Sequence, residues 1–159
     1  MRVTVLAVGQ LKEKPYREMA QEYLKRLSRY GKYQVIEVPD LPEPASASPA
    51  ALQQLKQREG EQLLRHVRPN DYLIALTIPG RQMPSPVLAQ HLEALPLRVT
   101  GDVLFAIGGS QGLSDQVIAR ADEQLSMSQM TFPHQLARVM LLEQLYRSAK
   151  ITAGERYHK

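Results

Sequence analysis

The chain opens with VTVLAV at 3–8, a run almost unbroken in apolar side chains and short enough for a strand buried on both faces, closed by Gly9. The pattern then changes period. Over Lys14–Tyr30, Tyr16, Met19, Tyr23, Leu24 and Leu27 recur at helical spacing, which predicts an amphipathic helix. A second strand is predicted over Tyr33–Val38. PDLPEPASASP follows as an exposed proline-rich loop, and Pro49 is suited to open a helix running to about Val67, with Leu52, Leu55, Leu63 and Leu64 inward. A third strand is expected over Asp71–Thr77, ended by a turn at IPG, then a short helix over Ser85–Leu95 and a fourth strand over Asp102–Ile107. Ser114 is placed to cap a helix reaching about Glu123, with Asp115 in its first turn. A short fifth strand at Leu125–Ser128 and a long helix at His134–Lys150 complete the pattern, followed by the tail ITAGERYHK.

Strands alternating with helices predict a mostly parallel α/β sheet covered on both faces, built as a single domain over 1–159. In such sheets ligands sit beyond the carboxyl ends of the strands. Three of those ends carry unusual residues: TIPG at 77–80, GGSQG at 108–112 and SMSQMTFPH at 126–134. They are expected to meet in one pocket.

Composition narrows the class without identifying it. A chain of 159 residues with 43% hydrophobic and 23% charged residues is ordinary for a globular protein, and the absence of cysteine rules out disulfides and thiolate metal sites. The opening apolar run is too short for a signal peptide, and no stretch approaches the roughly 18 apolar residues of a membrane span. A cytoplasmic protein with no membrane association and no metal is expected. Charge is unevenly placed: residues 1–35 carry eight Lys/Arg against three acids, residues 36–133 seven against eleven, and residues 134–159 five against two. Two basic ends around an acidic middle would suit a polyanion. Lys25, Arg26 and Arg29 are equally explained as the solvated face of a helix.

The glycine loop VLFAIGGSQGLS at 103–114 is the most informative stretch. A phosphate-binding loop of the Walker type needs a lysine that GGSQGLS does not have. A dinucleotide fingerprint needs G-x-G-x-x-G after the first strand, whereas the spacing here is G-G-x-x-G after the fourth. A loop rich in main-chain donors without a cation fits a neutral or zwitterionic ligand, such as adenine or an amino-acid moiety. A tight turn with no ligand is the competing reading.

Those residues, with others, carry a resemblance. IGGSQGLS, LSMSQMTFPHQLARVMLLEQLYRS and the ending GERYHK resemble the ribosomal RNA large subunit methyltransferase H family, in the SPOUT class of S-adenosylmethionine-dependent methyltransferases. The VG after the opening strand, EGE at 59–61 and LTIPG at 76–80 extend the likeness over the whole chain. The resemblance implies a homodimer whose carboxyl-terminal part, about residues 71–159, forms a deep trefoil knot. It implies S-adenosylmethionine bound by Leu76, Gly108, Met127, Ser128, Gln129, Met130, Thr131 and Phe132. It also implies methyl transfer to N3 of a pseudouridine of 23S rRNA in assembled ribosomes. Alternatives are a SPOUT enzyme acting on another RNA and a non-catalytic ribosome-binding factor that kept the fold.

Methylation at N3 requires the N3 proton to leave and the RNA backbone to be held by cations. His66 and His91 lie in helical patterns and read as surface residues, and His134 as a residue that fixes the cofactor loop. His158, between Tyr157 and Lys159, is the candidate for proton removal or RNA positioning over a partner's pocket, with a disordered tail as the alternative. Arg138, Arg147, Lys150, Arg156 and Lys159 are the expected RNA-gripping cations, with Lys25, Arg26 and Arg29 as further contributors. Arg156 stands where the family usually has proline or a small residue. The last helix is apolar on more than one side, through Leu136, Val139, Met140, Leu141, Leu142, Leu145 and Tyr146, which suits either a dimer interface or a central core helix.

Overall fold

The computed structural model describes residues 1–159. The elements, in chain order, are β1 (Arg2–Val8), α1 (Lys14–Leu27), β2 (Lys32–Val38), α2 (Pro49–Leu64), β3 (Tyr72–Arg81), α3 (Ser85–Ala94) with a short 3-10 turn at Leu95–Leu97, β4 (Val103–Ile107), α4 (Asp115–Arg120), β5 (Glu123–Leu125) and α5 (His134–Thr152). The five strands form one parallel sheet in the order β2-β1-β4-β3-β5.

Sheet order and helix placement share one physical cause. The β1→β2 and β3→β4 crossovers run the same way across the sheet and use α1 and α3, which pack with α5 on one face. The β2→β3 and β4→β5 crossovers run the opposite way and use α2 and α4, which pack together on the other face. A single crossover handedness requires this division of faces. Side-chain alternation follows it: Val103, Phe105 and Ile107 of β4 enter the larger core under α1, α3 and α5, while Leu104 and Ala106 enter the smaller core under α2 and α4.

Helix starts follow local chemistry. The Ser48 side chain accepts from the Ala51 amide at 3.1 Å with Pro49 beginning the helix, and Ser114 accepts from the Val117 amide at 3.3 Å with Asp115 in the first turn. Several boundaries differ from the sequence pattern. α1 stops at Leu27, α2 at Leu64 and α4 at Arg120, so β5 begins at Glu123, ahead of Leu125. Met19 is exposed and Ala20 takes the buried position on α1. IPG does not end β3. Leu76 and Arg81 both pair with Leu125, so residues 77–80 bulge out of a strand that continues through them. Gly80 permits this, because a Cβ there would lie 2.8 Å from the Gln124 carbonyl carbon.

Arg138 does not reach the surface. Its side chain is 2% exposed, with Nη1 donating to Glu37 Oε2 at 2.6 Å and Nη2 to the Gly9 carbonyl at 2.8 Å. It ties the first turns of α5 to the carboxyl ends of β1 and β2, and it is unavailable as a cation for RNA. This corrects the expectation from sequence: a charge on an apolar helix is buried here because two strand ends offer it acceptors.

Candidate active site

At the carboxyl edge of the sheet, the ends of β3 and β4 and the first turn of α5 enclose a cavity of about 780 Å³. Its walls come from Leu76–Pro79, Ile107–Leu113 with Ile118, and the segment from Met127 to Ala137. The three strand-end loops singled out by their sequences therefore share one cavity.

The glycine loop owes its shape to steric necessity. A Cβ on Gly108 would lie 2.4 Å from the Gly112 carbonyl carbon, and Gly112 has φ +79°. With these two glycines the chain turns back on itself, and the Gly112 amide donates to the Gly109 carbonyl at 3.0 Å. The opposing loop is braced internally: the Ser126 hydroxyl donates to the Ser128 carbonyl and the Met130 amide donates to Ser128 Oγ, both at 3.0 Å. Thr77 Oγ1 donates to Gln124 Oε1 at 3.1 Å and holds the β3 bulge.

The cavity wall contains no carboxylate, lysine or arginine, and its one titratable side chain is His134. Burial pushes the His134 imidazole below its ordinary value, Arg138 and Lys12 act in the same sense, and Asp40 opposes them. The ring is therefore neutral at neutral pH. Main-chain amides and carbonyls, apolar side chains and a neutral imidazole suit a ligand with an adenine ring and a zwitterionic end, with no phosphate to neutralise. Leu76, Gly108, Met127, Ser128, Met130, Thr131 and Phe132 line the cavity. Gln129 instead lines an adjacent groove of about 840 Å³, together with Met83, Met127, Met130 and Met140. Ile118 and Ala137, also on the wall, carry no signal in sequence that separates them from core residues.

The far end of α5 is different in kind. Arg147 Nη2 bonds Glu143 Oε1 at 2.6 Å, its guanidinium lies 4.7 Å over the Tyr157 ring, and Tyr157 OH donates to Glu143 Oε1 at 3.1 Å. Burial and the Glu143 charge push the Tyr157 phenol up to about 12. Arg147 Nη1 lies 3.3 Å from His158 Nδ1; because a guanidinium only donates, Nδ1 is the acceptor in this contact. Lys150 pairs with Glu155, which also accepts from Tyr30 OH at 2.8 Å. The tail is thus docked on its own helix, and Tyr157 is half-buried. Arg147 and Lys150 are engaged in ion pairs, while Arg156 and Lys159 are exposed.

The remaining histidines separate. His66 is exposed, as expected. His91 is not a surface residue without neighbours: its Nε2 lies 2.7 Å from Glu123 Oε2, which also accepts from Tyr72 OH at 2.9 Å. No group of three or more His, Cys, Asp or Glu side chains is arranged to hold a metal ion, and no helix is long and apolar enough to cross a membrane.

Comparison with known proteins agrees with this geometry. Residues 1–158 match the family described as "Predicted SPOUT methyltransferase". The chain is 52% identical over 156 residues to a protein of Pelotomaculum thermopropionicum, covering 98% of both chains, and 50% identical over the full length of both chains to one of Shouchella clausii. Both relatives are named ribosomal RNA large subunit methyltransferase H. Among solved structures, a probable methyltransferase from Bordetella pertussis Tohama I superposes with a TM-score of 0.57 at 16% identity, covering 93% of this chain and 96% of that one. A probable methylase family protein from Haemophilus influenzae Rd KW20 gives 0.55 at 13% identity, covering 99% and 70%. At those identities the structures speak for the fold alone. With a family match over nearly the whole chain and relatives at half identity from end to end, this chain belongs to the SPOUT methyltransferase family.

Proposed function

We propose that the protein is the ribosomal RNA large subunit methyltransferase that modifies N3 of pseudouridine-1915 in 23S rRNA, using S-adenosylmethionine, and that it acts on assembled ribosomes in the cytoplasm. The observation that carries the reading is the uncharged, main-chain-walled cavity where three separate loops meet. S-adenosylmethionine supplies the methyl group from a sulfonium centre when bound. Leu76, Gly108 and the loop Met127–Phe132 are the residues to hold it, Gln129 contributing through the loop's main chain.

The chain's own work is positioning. Fixing both reactants in line supplies much of the rate of such a transfer. His134, neutral on the cavity wall, braces the cofactor loop and can accept a hydrogen bond there. His158 has a different part. It docks beside Arg147, thirteen residues along α5 from His134, or about 20 Å at helical rise. A general base must lie within hydrogen-bond reach of its proton, so His158 serves the cavity of a second copy in a homodimer. With Nδ1 accepting from Arg147, the neutral ring carries its proton on Nε2 and presents a donor outward, which favours holding a carbonyl oxygen of the base over taking the N3 proton. The methionine-lined groove beside the cavity, with Met130 72% exposed, is the face for that second copy. Residues 71–159 form the knotted part, in keeping with the return of the chain from β5 at the sheet edge to α5 against the β1 end. Arg156 and Lys159 grip RNA phosphates, joined by Arg147 and Lys150 on exchange of their internal carboxylates for phosphate.

The test is methyl transfer from labelled S-adenosylmethionine to ribosomes lacking the modification, beside free large subunits and naked ribosomal RNA. Label at N3 of the pseudouridine, with assembled ribosomes alone, is the expected result. Cofactor binding without transfer would redirect the search to another RNA. Neither binding nor transfer would leave a ribosome-binding factor. Retention of full turnover by His158→Ala at saturating ribosome would remove that residue from the chemistry.

A further inference from the structure

The EGE segment of α2 lies on the opposite side of the glycine loop from the cavity chemistry, and the methyl-transfer reading gives it no task. Glu59 is 2% exposed, a burial that a carboxylate at mid-helix does not accept without cause. Its side chain ends against the glycine loop: a Cβ on Gly109 would lie 3.4 Å from Glu59 Oε1 and 3.6 Å from Oε2. The next residue meets the other end of the same loop. A Cβ on Gly60 would fall 2.1 Å from Ser114 Oγ, so only glycine lets α2 lie against the serine that caps α4. Two adjacent positions of α2 thus touch both ends of the segment 109–114.

The proline-rich loop after β2 completes the support. Glu59 Oε2 accepts from the Leu41 amide at 3.3 Å. Two residues on, Glu43 Oε1 accepts from Gln111 Nε2 at 2.6 Å and from Ser110 Oγ at 3.1 Å. Glu59 therefore anchors the strap that Glu43 fastens to the tip of the glycine loop. Its remaining oxygen, Oε1, is buried without a partner, and burial pushes the Glu59 carboxyl up, with the Asp40 and Glu43 charges acting in the same sense. Glu43, Glu59 and Gly60 do not themselves line the cavity.

We propose that Glu59, Gly60 and Glu43 are positioning residues for the cofactor: they hold residues 108–114 from behind in the one shape that offers the loop's main chain to the cavity. This rests on the S-adenosylmethionine reading. The consequence is a kinetic signature, since residues that shape the cofactor loop alone affect cofactor affinity and leave RNA affinity untouched.

The experiment titrates S-adenosylmethionine calorimetrically into the wild-type protein, Glu59→Ala, Glu59→Gln, Glu43→Ala and the core control Leu63→Val, with steady-state methyl transfer and thermal unfolding of each. Loss of the hydrogen bonds that fix the loop is expected to weaken cofactor binding about tenfold in Glu59→Ala and about threefold in Glu43→Ala. Glu59→Gln should restore affinity to within about threefold of wild type, because the amide oxygen can still accept from the Leu41 N–H. The KM for ribosomes and kcat at saturating cofactor should not move. Wild-type affinity in both Glu59→Ala and Glu43→Ala overturns the proposal, as does an equal loss in Leu63→Val. If Glu59→Ala does not fold, Glu43→Ala, altered on the exposed strap, decides alone. Absence of cofactor binding by the wild-type protein overturns the cofactor reading itself, and this proposal with it.

Discussion

The two ends of α5 are built in opposite ways. At its start, the helix borders a cavity whose only titratable wall residue is a neutral imidazole. Towards its other end, about 14 to 24 Å along the helix by helical rise, Glu143, Arg147 and Lys150 interlock with Glu155 and Tyr157 of the tail in ion pairs and cation–π contacts. The first end selects by the fixed shape of main chain, which cannot be screened or exchanged. The second holds its charge in internal pairs, Arg147 with Glu143 and Lys150 with Glu155. One helix thus runs from an uncharged cavity wall to a cluster of paired charges.

The largest expected effect comes from breaking the shape of the first end. Gly108→Ala places a methyl group where the Gly112 main chain lies, and should slow methyl transfer by about 100-fold in steady-state kinetics, the cost of misplacing a reactant by about 1 Å. Its affinity for ribosomes at low salt should be unchanged.

Next in size is Arg138, the cation that belongs to neither end. Arg138→Ala strips Glu37 and the Gly9 carbonyl of their partner and should cost about 3 kcal/mol in urea unfolding, the lower part of the range for a broken buried pair because Glu37 is 38% exposed. The salt dependence of ribosome binding measured on its folded fraction should match wild type. A shallower slope would return Arg138 to the RNA surface.

The second end is sharpened by smaller changes. Arg156→Gln and Lys159→Gln should each flatten the dependence of log affinity on log salt by about 0.7, the share of one phosphate contact, without altering cofactor affinity. The smallest effect concerns pH. Folded Glu59 holds its proton to higher pH than the unfolded chain does, so wild type loses stability as pH rises from the ordinary carboxylate range through the raised value of Glu59. Glu59→Gln has no such loss, and thermal unfolding across that range should show the variant gaining on wild type as pH rises.

Local signals made much of this molecule legible. Continuous apolar runs marked the buried strands, and Pro49 and the Ser114 cap marked the starts of α2 and α4. The three cavity loops stood out because each follows a strand and breaks the apolar pattern with glycine, proline or small polar residues. What stayed hidden depends on distance across the fold. Arg138 reads as a surface cation on its own helix, because its partners are the ends of β1 and β2. The Glu59 pattern resembles any solvated helix position until Gly109 is laid against it. The continuation of β3 past IPG follows from the Leu125 backbone, which meets Leu76 and Arg81 at once. The pairing of His91 with Glu123 is likewise a contact between elements.

The bond from Arg138 to the Gly9 carbonyl spans 129 residues. The carbonyl that closes β1 cannot receive the Arg138 guanidinium until α5, synthesised well over a hundred residues later, has docked. Contacts of such sequence separation are slow to form because their loop-closure cost falls due before their reward. The carboxyl edge of β1 is therefore finished late in folding, by a contact that waits on the docking of α5.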